Sequence, residues 1–96
     1  MNEVDYIIKI AKAEVGYLEK SKSAYDKNPD ILYKKSSGAG YDNYTKYAKD
    51  MNELKVYNGN KQGYPWCNVF IDWCFVKAFG QKRAKELLYG FSAGCE

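Results

Sequence analysis

Ninety-six residues, 46% hydrophobic and 28% charged, describe one small folded domain with a thin core rather than a disordered chain. The net charge of +3 comes from lysines scattered along the sequence, without the dense basic block of a dedicated nucleic-acid binder. No run approaches the roughly 20 apolar residues that span a bilayer. The opening MNEVDYIIKI places acids where a signal peptide needs basic and then apolar residues, so the chain is expected to be made in the cytoplasm without a signal peptide.

Val4, Ile8, Ala11, Val15 and Leu18 recur at spacings of four and three, which predicts a core-facing amphipathic helix over about residues 3–20. From Ser21 to Tyr41 the punctuation of Asn-Pro, Ser-Ser-Gly and Gly-x-Gly predicts a long surface loop. Its Asp26 and Asp30, with Asp42 just beyond, are conceivable calcium ligands, but they lack the Asp-x-Asp-x-Asp-Gly spacing of a calcium loop. No metal site and no cofactor is indicated.

Tyr44, Tyr47, Ala48, Met51 and Leu54 line one side of a second helix, about 43–54, with Asn43 as its N-cap. KVYNGNKQGYP, with two glycine turns and a proline, bars any helix from crossing it. Phe70, Ile71, Cys74, Phe75 and Ala78 then give a third, strongly apolar helix over about 67–79, closed by Gly80, and a fourth follows near 81–89. The expected fold is mainly α, a single domain over residues 1–96.

Three cysteines and no histidine make a zinc site improbable. Cys67 and Cys74, seven apart on one helix, are separated by roughly 10 Å, beyond disulfide reach, and no disulfide framework is expected. Cys67 falls at a helix start, where unpaired N–H groups and the positive end of the dipole favour a thiolate and hence a nucleophile. Burial as an inert small hydrophobe is the competing reading for it, and the expected one for Cys74, two turns further along the apolar face. Gly63 and Pro65 let a substrate approach, Tyr64 and Trp66 can wall a groove, and Asn68 lies beside the thiol. Asp72, five residues on, points away and reads as a surface or capping acid.

YPWCNVFIDWCF resembles the nucleophile segment of the CHAP family, the cysteine, histidine-dependent amidohydrolases and peptidases of phage endolysins and bacterial wall hydrolases. IIKIAKAEVGYLEK and NYTKYAKDMNELKVYNGNKQGYPWC are similar to that family's opening helix and its approach to the cysteine. The resemblance implies the helical N-terminal half of a papain-like α+β fold, with the β-sheet half that carries the histidine absent from this chain. It implies thiol-dependent cleavage of peptidoglycan amide bonds, with Cys67 as nucleophile and Gln62 as a candidate oxyanion donor, and some members use calcium. The family acts at the cell wall, so the protein would reach its substrate on release. Without a histidine the chain alone is expected to be inactive. The alternative is a non-catalytic phage or bacterial protein that binds a protein partner, a second copy or a completing C-terminal half through exposed aromatic and apolar surface.

Overall fold

The computed structural model describes residues 2–93. Five α-helices and one short 3-10 helix make up most of it, and no strand forms among the described residues. They are α1 (Glu3–Ala13), α2 (Lys22–Lys27), the 3-10 helix Pro29–Tyr33, α3 (Lys46–Glu53), α4 (Cys67–Phe79) and α5 (Gln81–Leu88). The mainly helical class expected from the sequence is what the chain adopts.

Central to the packing is α4, the most apolar element, which touches α1, α3 and α5. Its bounds coincide with the predicted ones, because Pro65 precedes it and Gly80 closes it with a left-handed φ of 82° that any side chain would strain. Tyr17, Tyr47, Ala48, Met51, Val69, Trp73 and Cys74 form the buried cluster. Tyr47 is its hub. Its ring lies 4.8 Å from both Phe70 and Trp73, 4.9 Å from Tyr17 and 5.5 Å from Trp66, and its hydroxyl donates to Glu14 at 2.9 Å. Lys46 closes this cage, paired with Glu14 at 2.6 Å and placed over the rings of Tyr17, Tyr47 and Trp73.

Three sequence expectations are corrected. The first helix ends at Ala13 rather than near residue 20, because Gly16 takes φ 93° and turns the chain. Residues 17–20 run extended instead. The Leu18 N–H donates to the Lys35 carbonyl, and Lys20 exchanges backbone bonds with Tyr44. Of the predicted stripe only Ala11 packs on the core, beside Ile7 and Ile10, whereas Val4 (63%) and Val15 (73%) stand in solvent with Ile8 and Leu18.

The second correction is to the 21–41 loop, which holds α2 and the 3-10 helix and buries Leu32 completely. Capping explains the order: the Ser21 hydroxyl accepts from the Ala24 N–H, and Asn28 accepts from the Asp30 N–H. Its acids are spent locally, Asp26 on Lys22 and Asp42 on the Lys22 N–H. No group of three metal-ligating side chains converges among the described residues. Third, the N-cap of α3 is Thr45, whose hydroxyl accepts from the Ala48 N–H, and not Asn43, which sits at φ 59° in the preceding turn.

Candidate active site

The chain reaches α4 through a tightly held approach. The Gln62 side chain brackets Thr45: Nε2 donates to the Thr45 carbonyl at 2.8 Å and Oε1 accepts from the Thr45 N–H at 2.9 Å. One residue on, the Gly63 N–H donates to the Asn43 carbonyl at 3.1 Å with φ 86°. These bonds anchor the approach to the start of α3. Gln62 is therefore first a positioning residue, with its carboxamide turned onto Thr45.

Trp66 is the N-cap of α4, and its side chain makes no capping hydrogen bond. One face of its indole stacks on Tyr47 at an interplanar angle of 23°, its edge meets Tyr17 and Phe70, and its Nε1 reaches Glu19 Oε1 at 3.5 Å. The residue before the thiol is thus built into the core through Tyr47.

Cys67 is the first residue of α4 and is exposed. It is also disulfide-bonded, and its partner is not Cys74, which is free and buried. The expectation of no disulfide is corrected at Cys67, since sequence spacing excluded only the 67–74 pair. A nucleophilic role for Cys67 therefore requires reduction first. Cys74 is the core residue expected: burial, with the Glu14 carboxylate adding, pushes its thiol up to about 11, so it stays protonated and inert.

Tyr64 is exposed, with the Lys61 ammonium 5.9 Å from its ring, and Asn68 is half-buried in the first turn of α4. Beside Trp66 an open cavity of about 310 Å³ is walled by Tyr17, Leu18, Gly40 and Tyr41, with Glu19 among its lining. The structure thus sets Trp66 and Cys67 at the start of α4, whereas the Gln62 carboxamide is engaged by the Thr45 backbone.

Asp72 is not the surface acid read from the sequence. It is buried, accepting on Oδ2 from the Tyr57 hydroxyl at 2.7 Å and the Ser92 N–H at 3.1 Å, and so ties two segments to α4. Burial raises its pKa although both hydrogen bonds pull it down. A raised carboxylate contributes stability that is full below the ordinary carboxylate range and is lost as pH rises through the raised value. Asp72→Asn should therefore gain on the wild type as the pH goes from about 3 to about 7, read as converging or crossing urea midpoints. A constant gap across that range would count against a titrating Asp72.

Sequence reasoning missed Glu19, which a helix over 3–20 would leave on the face away from the apolar stripe. Its Oε2 accepts from the Asn43 N–H at 2.8 Å, so it ties the extended 17–20 segment to both the approach turn and Trp66. Nothing local in the sequence signals this, because the partners lie 24 and 47 residues away.

Comparison with protein-family models, with curated proteins and with solved structures found no match for this chain. No helix among the described residues is long and apolar enough to cross a membrane.

Proposed function

We propose that this chain is the nucleophile-bearing helical half of a CHAP-type, thiol-dependent peptidoglycan amidase or endopeptidase. The observation that carries the reading is Cys67 standing exposed at the first position of α4, directly after Trp66, which lines an aromatic-walled cavity. Reduced there, the thiol is favoured as thiolate by the positive end of the α4 dipole. The thiolate attacks the amide carbonyl to form a C–S bond, the tetrahedral intermediate collapses with cleavage of the C–N bond, and water then hydrolyses the thioester to free the thiol, with the Cys67 backbone N–H as the candidate oxyanion donor. The leaving amine needs a proton. The 96 residues contain no histidine to give it, so the general acid-base group comes from outside them.

A second reading, a non-catalytic protein that binds a partner, draws on Val4, Ile8, Val15 and Leu18, apolar residues left in solvent. The same residues serve the first reading as surface that a completing half would cover.

Alkylation kinetics decide between them. After reduction, iodoacetamide should modify Cys67 with an apparent pKa below the free-thiol value of about 8.5, while Cys74 reacts only on unfolding. An apparent pKa at or above that value for Cys67 would remove the activated nucleophile and leave the binding reading.

A further inference from the structure

The cavity next to Trp66 has a composition the thiol chemistry does not use. Its walls are largely apolar, from Tyr17, Leu18, Tyr41 and Trp66, and the one charged group among its described lining residues is the Glu19 carboxylate. Both Glu19 oxygens meet neutral donors, the Asn43 N–H and the Trp66 indole, and no cation pairs with Glu19 among the described residues. The two ammonium groups closest to Tyr17 are engaged elsewhere: Lys46 with Glu14, and the buried Lys20 with the Lys35 carbonyl at 3.0 Å. An unpaired carboxylate bordered by aromatic rings suits a ligand with an apolar stem and a cationic tip. The volume, about 310 Å³, lies at the lower end of the roughly 300–1,000 Å³ of small-molecule sites, enough for one side chain.

We infer that this cavity is a subsite for an aliphatic primary amine, the side chain of a basic residue in a peptide substrate, with Glu19 as its specificity-determining residue. The stem lies along Leu18 and Tyr41, and the ammonium donates to Glu19 within reach of the Trp66 ring. Glu19 can accept it while keeping Asn43, since each carboxylate oxygen has more than one acceptor site. The inference rests on the hydrolase reading for the word substrate, but the binding it asserts needs no chemistry at Cys67.

The test is a titration of the whole ¹⁵N-labelled chain with N-acetyl-lysine-methylamide and with its norleucine counterpart, which has the same stem and no ammonium. The lysine ligand should shift the Trp66 indole and Asn43 amide resonances with an affinity about tenfold above norleucine's. Glu19→Gln, which keeps an acceptor for Asn43, should erase that preference and leave norleucine binding unchanged. Tyr41→Ala, at a side chain 96% exposed and so without consequence for folding, should weaken both ligands. Equal affinities for the two ligands, or a lysine preference that survives in Glu19→Gln, would overturn the subsite. Loss of Cys67 reactivity with the lysine preference intact would overturn the hydrolase reading alone.

Discussion

Tyr47→Ala should cost about 3–5 kcal/mol, the range for removing a large buried aromatic, and should lower the melting temperature by roughly 15–30 °C for a domain of this size. The position is chosen by geometry. Tyr47 is 1% exposed and its ring contacts four others, from Tyr17 before α2, from Trp66 at the site and from Phe70 and Trp73 in α4. A 96-residue domain holds roughly 5–15 kcal/mol in total, so the variant keeps little margin. Tyr47→Phe separates packing from polarity. It retains the rings and loses only the bond to Glu14, which Lys46 still satisfies, so it should cost about 1 kcal/mol. Thermal unfolding of the two variants beside the wild type reads the difference. Equal losses would place the stabilisation in the Glu14 bond and not in the ring cluster. Because Trp66 stacks on Tyr47, the alanine variant should also loosen the helix start that presents Cys67.

That coupling between core and site marks where sequence reading succeeds. The α4 helix was legible because its signals are local: proline before it, glycine after it, and a continuous apolar run between. The placement of Trp66 and Cys67 at its start follows from the same punctuation. What escaped was set by distance along the chain. Periodicity carried the first helix on to Leu18, but Gly16 reverses the backbone, and residues 17–20 leave the helix to pair with segments near 35–44. The stripe read as core-facing is exposed except at Ala11, and the core instead takes Ile7 and Ile10 from the adjoining face. Asp72 looked like a surface acid because Tyr57 and Ser92, its partners, lie 15 and 20 residues away. Likewise the bracket of Gln62 on Thr45 spans 17 residues and has no local signature. The CHAP resemblance draws on the locally written part, whereas the network that fixes the site is written nonlocally.

The reduced chain by itself should release no measurable product from purified cell walls. Positioned acid-base catalysis contributes typically 10²–10⁴-fold, and the neutral-pH group that supplies it in a Cys-His mechanism is missing from a sequence with no histidine. The buried acids and phenols do not replace it. Asp72 is occupied by Tyr57 and Ser92, and burial holds the Tyr17 phenol up to about 12, far from the pH at which it could exchange a proton with a substrate. Added imidazole, at concentrations that do not unfold the protein, should restore part of the loss, because a small diffusible base can reach an exposed thiol at the start of α4. The restored rate should rise with pH as imidazole loses its proton around neutrality, and should vanish in Cys67→Ala. Clearing of walls without imidazole, abolished by Cys67→Ala, would show that the chain holds its own base. Imidazole-dependent release that persists in Cys67→Ala would take the nucleophile away from α4 altogether.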